Sequence, residues 1–178
     1  MSAENVDVVN CIGESIWKFC LSAELWDNYL KNPHDIDFNK RIKIPYFFNG
    51  DSNTLSEEVS KIPKIGGIYI YTLENPIVPE CGSHIMYVGR ALYTKSENLR
   101  ERAKSHFYQY RRGDENERLT RLYDDWANYV YFTYIPISKG NDVISIVEKE
   151  LIVHLLPPCN KDYPSVKIRK KLSAFQYS

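Results

Sequence analysis

Long apolar runs are missing from this 178-residue chain. None approaches the ~18–20 residues that a membrane-spanning helix needs, so no membrane partner is expected. The N-terminal Met1-Ser2-Ala3-Glu4 has no basic region followed by an apolar core, and no signal peptide is expected either. Cysteine is scarce. Cys11, Cys20, Cys81 and Cys159 are scattered, with no Cys-x-x-Cys pair, which argues against a zinc site or a disulfide framework. A reducing, cytoplasmic setting is the expectation. An excess of charge of one sign is lacking too. Twenty-three bases balance 23 acids, and taken as a total this argues against a nucleic-acid partner.

The distribution of charge says more than its sum. Residues 1–60 hold ten acids and five bases. Residues 90–121 hold nine bases (Arg90, Lys95, Arg100, Arg102, Lys104, Arg111, Arg112, Arg118, Arg121) against five acids. Residues 161–178 add five bases and one acid. Such clusters can be solvated helix faces, or a footprint for an anionic partner. With 43% hydrophobic residues the chain can build one domain with an appendage.

The most informative stretch runs from Gly66 to Gly89. Gly67-Ile68-Tyr69-Ile70-Tyr71 and His84-Ile85-Met86-Tyr87-Val88-Gly89 are β-branched and aromatic runs. Pro76, Pro79 and Gly82 punctuate the segment between them, so the pair reads as a hairpin with a long loop. A period of two puts Tyr69 and Tyr71 on one face, Ile68 and Ile70 on the other. Gly67 and Gly89 lack a Cβ, so another backbone or a phosphate can approach them closely.

Elsewhere the periodicities predict four helices and a third strand. Residues 11–31 carry Ile12, Ile16, Phe19, Ala23, Trp26 and Leu30 at helical spacing, ended by Asn32-Pro33. Residues 44–48 read as a short strand inside a polar segment. Residues 98–110 form a helix striped by Leu99, Ala103, Phe107 and Tyr110, with Arg102 and His106 one turn apart at the edge of that stripe. Residues 117–127 form another, facing inward through Leu119, Leu122, Tyr123 and Trp126. Residues 129–135 alternate as a strand, stopped by Pro136. In the helix over 142–156, Ile144, Val147, Leu151 and Leu155 make a stripe that contains Glu148, while Glu150 points away. A carboxylate there is costly unless it is paired, with Arg102 or a lysine, or binds a metal.

Gly67-Ile68-Tyr69 followed by Tyr87-Val88-Gly89 resembles the two signatures of the GIY-YIG nuclease family, with Val88 in place of isoleucine. The resemblance extends over roughly residues 64–161. Arg102-x-x-x-His106 is similar to the arginine and histidine on the family's following helix. Glu148, Leu151-Ile152, Pro157 and Asn160 match its later landmarks in order. The resemblance implies an α/β (α+β) domain over residues 61–161, with a small three-stranded, mainly antiparallel sheet flanked by helices. Residues 1–60 would be an N-terminal helical extension and 162–178 a basic tail.

It also implies a metal-dependent endonuclease, with DNA the expected substrate and RNA left open. Hydrolysis of a phosphodiester needs a base for water, charge stabilisation at phosphorus and help for the leaving oxygen. Glu148 would hold one Mg²⁺ or Mn²⁺ and Arg102 the phosphate. Tyr69 would act as the base, provided nearby cations lower its pKa, and Tyr87 would bind phosphate; the reverse assignment stays open. His106 would orient the base or protonate the leaving group, and Asn160 would tie the site together or touch phosphate. Gly67, Gly89, Arg90 and Lys161 are the expected nucleic-acid contacts. A homodimer formed at least on DNA is expected if both strands are cut. No His-Asn-His motif, Gly-x-x-x-x-Gly-Lys loop or Ser-His-Asp arrangement supports a rival enzyme class. A restriction-type or a repair, structure-specific enzyme fits the same residues. The non-enzyme alternative is a nucleic-acid-binding module that keeps the fold without turnover.

Overall fold

The computed structural model describes residues 17, 19–31, 35–78 and 82–163. The expected helical residues 11–16 and the basic tail beyond Tyr163 lie outside them. Four strands form one antiparallel sheet: β1 (Ile42–Pro45), β4 (Gly67–Leu73), β5 (His84–Ala91) and β6 (Val130–Pro136), in the order β1-β6-β4-β5. A separate ribbon pairs β2 (Phe47–Phe48) with β3 (Asp51–Leu55). The helices are α1 (Ala23–Lys31), α2 (Leu99–Arg112), α3 (Glu117–Trp126) and α4 (Asn141–Leu155).

The hairpin of β4 and β5 forms as the alternation predicts. Tyr69 and Tyr71 face a cluster that includes Leu99, Ala103 and Phe107 of α2 and Leu119, Leu122 and Tyr123 of α3. Ile68 and Val88 face a second cluster with Ile144, Val147, Leu151 and Ile152 of α4, on which Leu25 and Tyr29 of α1 also pack. The sheet is therefore covered on both faces, and β4 at its centre has almost no exposed residue. That is why its sequence is apolar and aromatic on both faces instead of alternating with polar residues.

Helix ends follow local chemistry. The Asn98 side chain accepts from the Glu101 amide at 3.1 Å to start α2, which ends on Gly113 at φ 77°. Asn116 starts α3 in the same way, accepting from the Arg118 amide at 3.0 Å.

Two expectations change. The sheet has four strands rather than three, because Ile42–Pro45 from the acidic N-terminal segment pairs along β6, with Ile44 opposite Phe132. Without β1 that edge of β6 would present unpaired backbone groups. The first helix is also shorter than its periodicity: residues 19–22 are not helical, and α1 starts at Ala23. Trp17 consequently lies outside the helix that was expected to carry it, packed against the tyrosine-rich cluster with Arg121 over its ring.

Candidate active site

β5 is an edge strand, so side chains from both of its faces can open onto one cleft. Tyr87 points to the α2 side and is stacked on Tyr69, with ring centroids 6.1 Å apart and planes 28° apart. Arg90 points to the α4 side and pairs with Glu148. A cleft of about 590 Å³ at this edge is lined by Tyr87, Asn116, Glu148, Lys149, Asn160 and Lys161, among others. Four of the residues singled out by sequence thus line one cleft although they come from three separate segments.

Behind Tyr87 lies a chain of buried hydrogen bonds. The Tyr69 hydroxyl meets His106 Nε2 at 2.7 Å. Arg102 Nε donates to the same hydroxyl at 3.2 Å. The other ring nitrogen of His106, Nδ1, lies 2.6 Å from Glu115 Oε2. Arg102 and His106 reach the sheet together because four residues is one turn of α2. The side chains of His106 and Glu115 are only 3% and 5% exposed.

Asn160 holds the opposite wall. Its Oδ1 accepts from the Val88 amide at 2.9 Å and its Nδ2 donates to the Val88 carbonyl at 2.8 Å. One side chain therefore imitates a neighbouring strand on an edge that has none. Arg118 Nη1 fixes the loop by donating to the carbonyls of Pro158 and Asn160 at 2.8 and 3.0 Å.

Burial governs the protonation of these groups. It pushes the Tyr69 phenol well above its ordinary value, and the Arg102 cation pulls back only in part. Tyr87 is raised as well, with Arg102 and the Tyr69 hydroxyl opposing. His106 is held below the usual imidazole range by burial, against the pull of Glu115. Burial raises Glu148 against the opposing pull of Arg90, Arg102 and Lys149. The ion pair anticipated for Glu148 exists, but its partner is Arg90.

Two glycines are not where a phosphate could use them. Both are buried. A Cβ on Gly67 would sit 2.2 Å from the Ile135 carbonyl oxygen, so the close neighbour there is the β6 backbone. A Cβ on Gly89 would sit 2.4 Å from the Tyr69 hydroxyl, so Gly89 makes room for a ring. Tyr69 itself is fully enclosed, whereas Tyr87 lines the cleft.

Sequence reading missed Glu115, Asn116 and Arg118. Glu115 lies nine residues past His106, beyond the end of α2, and no helical or strand period links them. An acid next to a helix cap was the only signal.

Among the described residues no three His, Cys, Asp or Glu side chains gather as a metal cage. The carboxylates that line the cleft are Glu148 and Asp162. One or two carboxylates are what a Mg²⁺-type ion takes, with water or substrate oxygens in its other positions. No protein-family model matches the chain, and no match was found among curated proteins or solved structures.

Proposed function

We propose that this protein is a metal-dependent endonuclease of the GIY-YIG kind that hydrolyses phosphodiester bonds in DNA. The observation that carries the reading is the chain Glu115–His106–Tyr69–Arg102 placed directly behind a cleft walled by Tyr87 and Glu148. Few purely structural needs would bury a histidine between a phenol and a carboxylate, with an arginine on the same phenol oxygen. Acid–base work on a phosphate uses all of them.

In this reading Tyr87, the phenol that lines the cleft, takes a proton from the attacking water and passes its own to the enclosed Tyr69, whose proton goes to neutral His106. The water's oxygen attacks phosphorus. Arg102 holds the phosphate oxygens as charge builds on them. Arg90 leaves Glu148 to meet the backbone of the substrate, with Lys161 beside the cleft. Mg²⁺ or Mn²⁺ held by Glu148 would supply Lewis-acid stabilisation of the phosphate and of the leaving oxygen. A restriction-type enzyme is the form we favour, and cytoplasmic residence suits the free thiols of Cys20 and Cys159.

The Arg90–Glu148 pair favours one second reading, because it satisfies the carboxylate without a cation. In that case the protein binds nucleic acid and does not turn over. Incubation with plasmid DNA or RNA and Mg²⁺, followed by mapping of the ends, separates the two. Glu148→Gln is expected to abolish cleavage while binding and fold survive. Full cleavage in EDTA, or by Glu148→Gln, would remove the metal from the proposal. Binding without cleavage across substrates and divalent ions would establish the second reading.

A further inference from the structure

We propose that Glu115 is the positioning residue of this site: its carboxylate holds His106 in the one tautomer that can accept the Tyr69 proton. The inference rests on the nuclease reading for its purpose, but its geometry stands by itself. An ionised carboxylate only accepts hydrogen bonds. His106 Nδ1, 2.6 Å from Glu115 Oε2, must therefore carry the ring proton. A neutral imidazole then has a bare Nε2, and what faces it at 2.7 Å is the Tyr69 hydroxyl. Tyr69 donates there and accepts from Arg102 at 3.2 Å, so each donor in the chain has an acceptor.

The carboxylate is itself fixed. Its second oxygen accepts from the Asn116 amide at 2.7 Å. Asn116 caps α3 and reaches the Cys159 carbonyl at 3.3 Å, next to the Asn160 clamp on Val88. The loop between α2 and α3 thus sets the histidine on one side and steadies the cleft wall on the other.

The step it serves balances. A water O–H bond breaks and its proton goes to the Tyr87 oxygen, the Tyr87 proton passes to the Tyr69 oxygen, and the Tyr69 proton passes to His106 Nε2. The water's oxygen bonds to phosphorus, the bond from phosphorus to the 3′ oxygen breaks, and that oxygen takes a proton from solvent. His106 ends as an imidazolium, and Glu115 is the anion beside it.

His106 is faced by Tyr69 and Tyr71 of β4 and Tyr87 of β5, with ring centroids 5.5, 5.7 and 5.9 Å away. Its charged neighbours are Arg102 and Glu115, which lower and raise its proton affinity respectively. Removing Glu115 should therefore move the acid limb of the rate profile to lower pH. A purely structural role would leave that limb in place.

Nitrogen-15 NMR of the imidazole in the full-length protein is the first test. The Nδ1–H tautomer is expected in the unmodified protein and its loss in Glu115→Leu, which offers Nδ1 no acceptor. An Nε2–H tautomer in the unmodified protein overturns the proposal, whether or not the variant folds. Glu115→Gln should also lower kcat on DNA by ~10²-fold with little change in KM, the scale of a lost acid–base group. Glu115→Asp should recover part of that loss. Unchanged kcat, or an unshifted acid limb, in a folded Glu115→Gln protein overturns it too. Should the unmodified protein cut no nucleic acid, the nuclease reading fails, while the tautomer still decides the assignment of Glu115.

Discussion

Tyr69, Tyr71 and Tyr87 share one wall of the core and differ in what their hydroxyls meet. Tyr69 has His106 and Arg102. Tyr87 has the cleft. The Tyr71 hydroxyl is buried with no hydrogen-bond partner among the described residues, although Tyr46 and Tyr123 pack against its ring. Removing a buried, unpaired hydroxyl costs little and can stabilise. Tyr71→Phe should therefore keep full activity and a urea midpoint equal to or above that of the unmodified protein. Tyr69→Phe and Tyr87→Phe should each lower turnover by ~10²-fold or more in the same assay. Equal losses from all three would show that the hydroxyls serve stability. From sequence alone Tyr69 is the expected base and Tyr87 the phosphate ligand, with the reverse left open; Tyr69 is enclosed and Tyr87 lines the cleft, so Tyr87 is the phenol that a cleft water reaches. His106 gives the pH dependence its sign. Its proton affinity is depressed in the fold, so cleavage should fall only as pH drops below about 6.5, the ordinary value for histidine. Stability linked to this group is full above that value and is lost as pH falls towards its folded pKa.

Among the elements, β5 and the loop after α4 decide whether a site exists. An edge strand lets Tyr87 and Glu148, on opposite faces of the sheet, reach a common cleft. The cost is that Val88 has no strand beside it. Asn160 removes that cost with two hydrogen bonds, and it is itself only 5% exposed. Asn160→Ala would leave a buried amide and a buried carbonyl unpaired, a loss of at least about 2 kcal/mol. Urea denaturation would measure it, and amide exchange at Val88 should quicken. An unchanged midpoint would show that Asn160 contributes contact with the ligand and not the anchoring of β5.

For the molecule as a whole, a single centre of this kind among the described residues has a consequence for its products. In the proposed activity one such centre would cut one strand per engagement. Our proposal is that double-strand cuts come from a dimer assembled on DNA, with two centres related by symmetry. α1 offers a surface: Leu25 and Tyr29 pack inward, while Trp26 and Leu30 are 44% and 71% exposed. Replacing Trp26 and Leu30 by alanine should leave the fold intact, leave nicking unchanged and reduce linear product. Sedimentation with and without a duplex would report assembly. Linear product from a species that stays monomeric on DNA, in one encounter, would refute the dimer. An unchanged dimer in the double variant would refute only this interface. No helix among the described residues is long and apolar enough to cross a membrane.

Local pattern was enough for the hairpin of Tyr69 and Tyr87, for α2 with Arg102 and His106 on one edge, and for Glu148 inside the α4 stripe. Each depends on a period of two or 3.6 residues that neighbouring positions themselves fix. The spacing of the signatures suggested which of those residues belong together. Only the tertiary structure added β1 to the sheet, paired Glu148 with Arg90, filled the space at Gly89 with the Tyr69 ring and brought Glu115 to His106. These pairings join residues 9 to 92 positions apart through turns and layers, and no repeat in the chain encodes such a distance. The acidic residue beside the α3 cap became part of the site because the chain turned at Gly113, not because of anything in its own neighbourhood.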